Sequence, residues 1–384
     1  MALNIDWNDI FSYQTVKIVR IRNWRLGLLH LGFIGVIVIY ILVGTIFLEK
    51  RYLLTEGPIG SVRTSLLQPT NVNPTPPYCL TSSPSYNGFT NKPCEFWDEV
   101  MVLYPPAAES SIFITTRVTQ SIQETQNNCS LSSPTCKYNT TSSSDFYIGD
   151  VDNFTVLIDH TLTAPNLDIQ FNARQLPGML LNTNGKEISV ESPNIIGVKG
   201  QYDILTLDAI INAAGLETLD SPGQSNSSRS ARDDGLLLFL FITYSNTYTY
   251  NTNNYRYTYQ FSLIQDTKFK IVEPVFTYDV AHRYVFDRHG VQLIIIQTGL
   301  LGKFDFQTML LTFVSGIGLV TVATVVVDQI AIRILPQKER YQKMKYQETY
   351  PTLKLNTEDL NENTPTTPLF SENTKPNVPY EKLV

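Results

Sequence analysis

Hydroxyl and small side chains share one face of a long uncharged stretch of this sequence. They lie within residues 306–327, 22 residues without a charge. Positions spaced i, i+4 and i+7 fall on one stripe of a helix. The stripe consists of Thr308, Leu311, Thr312, Ser315 and Gly318. Its hydroxyls suit hydrogen bonding to water or ions in a pore, or close packing between helices, and the stripe alone leaves both interpretations open.

The elements that would position this stripe are two membrane-spanning helices. At about 1.5 Å per residue, a 22-residue helix crosses a hydrocarbon core of ~30 Å, and a buried helix of a soluble protein is the alternative. A second uncharged run of 21 residues lies at 28–48. A cleaved signal peptide is the alternative there, but Glu49, Lys50 and Arg51 follow it where small residues would mark a cleavage site. We therefore predict transmembrane helices at 28–48 and 306–327.

The flanking charges predict how the chain is oriented. Basic residues precede the first run and follow the second, whereas residues 49–305 carry 17 basic and 25 acidic side chains, a net charge of −8. By the positive-inside rule, residues 1–27 and 328–384 are cytosolic and residues 49–305 are lumenal or extracellular. Four N-glycosylation sequons fall in that middle segment. Their asparagines are Asn128, Asn139, Asn153 and Asn226.

All four cysteines of the chain also lie in this segment, at Cys79, Cys94, Cys129 and Cys136. An oxidising compartment would allow up to two disulfides among them, with three possible connectivities. A zinc site is the competing interpretation, and the spacing contains no CxxC pair to favour it.

Hydrophobic patterning indicates that residues 49–305 form a β-rich domain. Residues 154–158, 236–244 and 291–296 are typical of strands, and the alternation from Tyr244 to Tyr259 predicts a hairpin with one solvated face. Residues 336–384 are polar with few apolar side chains, so we expect the tail to be largely disordered.

The motifs and charge of the sequence exclude several functions. It contains no GxxxxGK[ST], HExxH, GxSxG or GxGxxG motif, so we expect no enzyme, no cofactor and no metal site. An acidic domain is a poor nucleic-acid surface. At a membrane it would instead raise the local concentration of cations.

Short elements near both ends resemble the ionotropic purinoceptors, the trimeric ATP-gated cation channels. Tyr13, Thr15 and Lys17 resemble the family's Tyr-x-Thr-x-Lys element. Residues 153–158 are similar to the strand whose threonine, here Thr155, contacts adenine. From Gly290 to Lys345 the chain resembles the family without a gap, through Gly299, Gly302-Lys303-Phe304, Ser315-Gly316, Asp328 and the Tyr341–Lys345 trafficking element. The four cysteines and the first span are most similar to the amoebal branch.

The resemblance implies a homotrimer of chains with two spans flanking a β-rich domain, or a hetero-trimer with relatives. Its partners would be ATP or another anionic ligand, permeant cations and membrane lipid. Three copies of the second span around an axis would place the hydroxyl stripe at the pore, so the resemblance favours a ligand-gated cation channel. A non-conducting or regulatory glycoprotein of the same fold is the alternative, and a membrane-anchored ectoenzyme a more distant one.

The positions that bind ATP phosphates in that family are mostly altered here. Several cations must converge on a triphosphate. The family's lysines align with Ser65, Leu67, Asp159 and Asp287. The candidate ATP-binding residues that remain are Arg63, Thr155, Asn254, Arg256 and Arg288. We therefore expect a weak or absent response to ATP.

Two short tail patterns bear on location. Tyr350 and Tyr380 begin Tyr-x-x-apolar patterns like those of adaptor sorting signals, although such patterns are common by chance. Amoebal relatives reside on the contractile vacuole, so the resemblance favours an internal membrane of that kind, with the plasma membrane as the alternative.

Overall fold

The computed structural model describes residues 24–106 and 108–345. The chain divides into two compact units. One comprises residues 38–317, and the other comprises the described residues up to 37 and from 318 onward. Two helices are long and apolar enough to cross a membrane: a first span of 25 residues, Trp24–Leu48, and a second span of 28 residues, Phe306–Arg333. The first span is α-helical over Trp24–Ile39 and π-helical over Tyr40–Leu48.

Both spans are longer than the uncharged runs that predicted them. The first begins at residue 24 rather than 28, and the second ends at residue 333 rather than 327. The helix continues past Asp328, whose carboxylate Oδ2 lies 2.5 Å from Lys345 Nζ. Lys345 ends a further helix, Lys338–Lys345, where Tyr341 packs against Val327 and Ala331. Residues 338–345 of the tail that we expect to be largely disordered are therefore helical, and residues 346–384 lie outside the described residues.

The described residues between the spans form sixteen strands. They are β1 Leu53–Glu56, β2 Val62–Leu67, β3 Ser85–Tyr86, β4 Phe89–Thr90, β5 Cys94–Glu95, β6 Ser111–Thr125, β7 Tyr138–Ile148, β8 Thr155–Ala164, β9 Ile169–Asn172, β10 Gly178–Leu181, β11 Glu187–Ile188, β12 Asp203–Thr206, β13 Leu236–Ser245, β14 Arg256–Leu263, β15 Lys270–Phe276 and β16 His282–Phe304. Short helices interrupt them at Glu99–Val102, Leu207–Ala213 and Ala231–Asp234.

A ten-stranded sheet forms most of this domain. Its order is β11-β10-β14-β13-β16-β6-β7-β5, and β1 and β15 also pair with β16. A four-stranded sheet has the order β12-β8-β2, with β9 pairing β8, and β3 and β4 form a separate hairpin. Inward-facing residues of both sheets contribute to one hydrophobic core. The domain is therefore β-rich, as predicted.

β16 organises the larger sheet and depends on two glycines. At Gly290, where the β16–β6 register shifts, an added Cβ would lie 2.0 Å from the carbonyl oxygen of Ile114. Gly299 has φ +125°, and a Cβ there would lie 2.1 Å from the carbonyl oxygen of Tyr244. Side chains at these positions would push neighbouring strands apart.

The three predicted strands are present, but with different extents. β8 begins at Thr155 and runs to Ala164, β13 matches its prediction closely, and residues 291–296 form only part of the 23-residue β16. The predicted hairpin is formed by antiparallel β13 and β14. Residues 246–255, however, form the loop between those strands instead of their paired ends.

Candidate functional site

The predicted pore stripe lies on a face of the second span that the described chain leaves mostly uncovered. Leu311, Ser315 and Gly318 are exposed, and Thr308 and Thr312 are half-buried. A Cβ added at Gly318 would meet no atom within 4 Å. The stripe is therefore available to other molecules, such as further copies of the chain.

Another face of the second span makes its helix contacts within one chain. In the unit of residues 38–317, a Cβ at Gly316 would lie 2.5 Å from Cδ1 of Ile41 on the first span. In the other unit, Leu26 packs with Val327 and Ala331. The close helix contacts within one chain are therefore made by Gly316, Val327 and Ala331 rather than by the stripe residues.

The stripe hydroxyls donate their protons within their own chain. Thr308 Oγ1 donates to Asp305 Oδ2 at 2.7 Å, and Ser315 Oγ donates to the carbonyl of Thr312 at 2.8 Å. Thr312 Oγ1 lies 3.0 Å from the Thr308 carbonyl and 3.1 Å from that of Arg51. Because a hydroxyl has one proton and two lone pairs, oxygen lone pairs remain for outside partners. Such a surface accepts hydrogen bonds and favours cations.

Asp305 adds a negative charge where the second span begins. Its carboxylate caps the helix, accepting a hydrogen bond from the Thr308 backbone N–H at 2.7 Å. The Thr308 hydroxyl and backbone hydrogen bonds lower the pKa of Asp305 from its ordinary value, which keeps the group ionised at neutral pH.

Arg63 and Thr155 share one face of the smaller sheet. In the antiparallel β2–β8 pair, Arg63 lies opposite Asp159 and Leu67 lies opposite Thr155, with Ser65 between them. The side chains of Arg63, Ser65 and Leu67 are exposed. In the part of the chain that the structure describes, Arg63 makes no hydrogen bond or ion pair, and it is the cation on this β2 face.

The predicted ligand residue Arg288 is buried and already has partners within the chain. The residue is 6% exposed. Its guanidinium lies 2.6 Å from Glu273 Oε2 and donates to the Met101 carbonyl at 2.7 Å. The ring of Trp97 lies 5.1 Å from the guanidinium carbon. These contacts engage the Arg288 guanidinium within the chain.

Asn254 and Arg256 are far from Asp287 within one chain. Arg256 pairs with Ser245, and Ser245 pairs with Leu300. Leu300 is 13 residues along β16 from Asp287, about 43 Å at ~3.3 Å per residue. The Arg256 guanidinium lies 3.7 Å from the ring centroid of Tyr248. The structure thus does not bring these candidates to the late phosphate position.

Lys270 is the cation that the sequence analysis missed. It lies on β15, and its Nζ is 2.8 Å from Asp287 Oδ2 on β16. The signal was available: Lys268-Phe269-Lys270 is a basic-aromatic-basic triplet close before the late strand.

The cysteines form two disulfides, Cys79–Cys94 and Cys129–Cys136. This selects one of the three connectivities and excludes zinc ligation by these thiols. Among the sequon asparagines, Asn139, Asn153 and Asn226 are exposed, and Asn128 lies in the turn Gln126–Asn128. Three of the sequons are thus sterically open to modification.

Among the predicted cytosolic motif residues, the structure describes Tyr341 and Lys345. Both lie on the helix that packs against the end of the second span. The other predicted positions, Tyr13, Thr15, Lys17, Tyr350 and Tyr380, lie outside the described residues.

Two spans flanking one large β-rich domain, with an uncovered hydroxyl stripe on the second span, define a two-span membrane protein of the receptor and channel class. A family model described as ATP P2X receptor matches residues 11–149 and 240–348. The chain belongs to this family of ligand-gated cation channels. Thr155 and Asp159 fall in the unmatched stretch between those two ranges.

Relatives from Dictyostelium discoideum are similar along nearly the whole chain. P2X receptor E is 61% identical over 376 residues, covering 94% of this chain and 97% of that protein. P2X receptor A is 46% identical over 356 residues, covering 91% and 93%.

Two crystal structures share the fold at low sequence identity. An invertebrate P2X receptor from the Gulf Coast tick, determined with ATP and Zn²⁺, gives a TM-score of 0.54 at 15% identity, covering 79% of this chain and 99% of that one. The chicken ATP-gated P2X7 receptor channel, with the antagonist TNP-ATP, gives 0.50 at 16% identity, covering 79% and 98%.

Proposed function

We propose that this chain is one subunit of a homotrimeric cation channel in which the stripe residues of three second spans line the pore. The observation that carries the proposal is the uncovered stripe itself. Its hydroxyls donate to Asp305 or to carbonyls of the same chain, so oxygen lone pairs remain for outside partners. Lone pairs can replace part of a cation's hydration shell.

Cation preference has further support from charge near the ends of the spans. Glu49 and Glu56 follow the first span, and Asp305 precedes the second. The segment 49–305 has a net charge of −8. Negative charge at a narrow entrance concentrates cations and repels anions.

The ligand is an anion that this chain binds differently from ATP-gated relatives, so ATP opens the channel weakly or not at all. Arg63 stands beside Ser65 and Leu67 rather than lysines, and Lys270 is already paired with Asp287. Thr155 remains as a contact for a base. Without several converging cations, electrostatic attraction does not offset the free-energy cost of desolvating the triphosphate.

The proposed topology has both termini in the cytosol and the sequon-bearing domain in the lumen or outside the cell. We favour an internal membrane such as the contractile vacuole. Deleting residues 346–384, which contain Tyr350 and Tyr380, should move a tagged protein to the cell surface. An unchanged distribution would remove the tail from this role.

Cysteine accessibility tests the pore. All four native cysteines are in disulfides, so a thiol introduced by Thr312→Cys or Ser315→Cys is the reactive one. We expect a small charged thiol reagent to modify both positions in a state-dependent way, and to leave Val314→Cys and Val325→Cys unmodified. Equal modification at all four positions would contradict the proposal.

Recording from the purified chain in a bilayer tests conduction. The expected result is a current whose reversal potential follows the cation gradient. A reversal potential that follows chloride would overturn cation selectivity. A protein of intact fold that stays silent on ATP application even as the combined variant Asp287→Lys, Ser65→Lys and Leu67→Lys would favour the regulatory-subunit alternative.

A further inference from the structure

The loop of residues 246–255, which we call the tyrosine loop, contacts the end of the first span. The ring centroids of Phe47 and Tyr250 are 5.4 Å apart. Lys50 Nζ lies 5.7 Å from the centroid of Tyr250 and donates a hydrogen bond to the carbonyl of Thr247. Phe47 is one residue from the end of the first span, Leu48. Tyr250 therefore lies at the depth where the first span leaves the hydrocarbon.

The loop is fixed in this place by one buried amide. Asn246 is fully buried, and its Nδ2 donates to the carbonyls of Thr252 and Gly302, both at 2.7 Å. Its Oδ1 accepts from the Gly302 backbone N–H at 2.8 Å. Gly302 is four residues before the second span begins at Phe306. The same loop is thus attached close to the ends of both spans.

The outer surface of the tyrosine loop combines aromatic rings and cations. Tyr250 is 68% exposed and Tyr248 is 40% exposed. The Arg256 guanidinium lies 3.7 Å from the centroid of Tyr248. Amphipathic rings place an apolar body and a polar tip across the boundary between hydrocarbon and water, and neighbouring Lys and Arg reach lipid phosphates.

We propose that the tyrosine loop rests in the headgroup layer of the membrane, with Tyr250 at its deepest point. Two observations carry this assignment together: contact with a residue inside a spanning helix fixes the depth, and the exposed side chains are those that occupy this layer. The alternating Tyr, Thr and Asn pattern of residues 247–255 thereby acquires a function.

Collision with paramagnetic reagents tests the proposal on the full chain in phosphatidylcholine nanodiscs. Tyr250→Cys carries a nitroxide label, since the native cysteines are in disulfides. Tyr278→Cys is the matched control, because Tyr278 is 80% exposed and lies in the β15–β16 connection. The whole of β16, about 75 Å of strand, lies between that connection and the second span. Asn251→Cys, also on the exposed loop surface, is the second variant if Tyr250→Cys does not fold.

We expect the ratio of oxygen to nickel-chelate collisions to be at least about threefold higher at position 250 than at 278, as apolar oxygen partitions into lipid. Nickel-chelating lipid headgroups should relax the label at 250 and not at 278. Equal ratios at the two positions would place the loop in water and overturn the proposal. Protection of position 250 from both reagents would overturn it in favour of a neighbouring subunit covering the loop.

Discussion

Lys270 and Asp287 form an ion pair across the β15–β16 ladder, with Nζ 2.8 Å from Oδ2. The second oxygen of Asp287 is buried and has no hydrogen-bond partner among the described residues. His289 Nε2 lies 3.8 Å from it. A carboxylate of the chain thus occupies the place next to Lys270 that an anionic ligand would need. An incoming phosphate must displace it and also meets its negative charge.

Replacing this carboxylate should create a response to ATP. Asp287→Lys combined with Ser65→Lys and Leu67→Lys restores three family cations, each contributing on the order of 1.5–3 kcal/mol to phosphate binding, or roughly tenfold in affinity. We expect currents at micromolar ATP in the triple variant and little response in the native chain. Asp266→Lys, at an exposed position, is the control for added charge. Native currents at micromolar ATP would refute the argument from the altered positions.

Arg288 should matter for stability rather than for ligand affinity. Arg288→Leu leaves the half-buried Glu273 without its ion-pair partner, which should lower the free energy of unfolding by about 1–3 kcal/mol. Arg63→Ala removes an exposed arginine and should change it by less than about 0.5 kcal/mol. Thermal unfolding of the purified variants compares the two. Similar effects of both substitutions would contradict the buried role of Arg288.

His160 should make the domain sensitive to acid. Gln297 donates to the Tyr244 hydroxyl, and that hydroxyl is hydrogen-bonded to His160 Nδ1 at 2.6 Å. Burial lowers the pKa of His160 to about 3 from 6.5. Below pH 6.5 the unfolded chain therefore binds a proton at His160 that the folded chain does not bind. This lowers the free energy of unfolding by about 2 kcal/mol at pH 5.

The variant His160→Gln should reduce this loss, measured as the change in unfolding temperature between pH 7 and pH 5. Burial raises the pKa of Asp203, whose contribution has the opposite sign, so the comparison between variants isolates the imidazole. His282→Gln, on the surface, is the control. An unchanged pH dependence in His160→Gln would show that other groups control acid stability.

The two disulfides should differ in their contribution to stability. Cys79 and Cys94 close the longer loop and pack with Tyr78 and Tyr147. Replacing both with serine should lower the free energy of unfolding by about 3 kcal/mol from loop closure, with an added loss of packing. Replacing Cys129 and Cys136, which close a shorter and less buried loop, should have the smaller effect, about 2 kcal/mol. Equal effects in denaturant titrations would argue against a packing role for the first disulfide.

The spans, the β-rich domain and the hydroxyl stripe could be predicted because each depends on local sequence. Uncharged runs of sufficient length indicate spans, and helical spacing alone places Thr308, Thr312 and Ser315 on one face. The helix ends could not be located in this way. Asp328 lies inside the second span although it is charged, and its partner Lys345 is 17 residues away.

The ligand face was predicted less well because it depends on strand register. Arg63 and Thr155 share a face because β2 pairs with β8, and the sequence pattern of either strand alone does not show that pairing. Arg288 is a predicted ligand residue because it adjoins Asp287 in sequence. Successive strand residues point to opposite faces, however, and Arg288 is buried against Glu273. The proximity of Lys270 to Asp287 follows from the pairing of β15 with β16, which the local sequence does not show.

The length of β16 has a mechanical consequence. The strand runs without interruption from His282 to Phe304, about 75 Å of extended chain. A single residue, Asp305, separates it from the second span. A connecting loop would absorb a displacement, whereas a hydrogen-bonded strand of this kind transmits one. A displacement of β16 at Asp287 is therefore transmitted along the strand to Thr308, at the start of the second span.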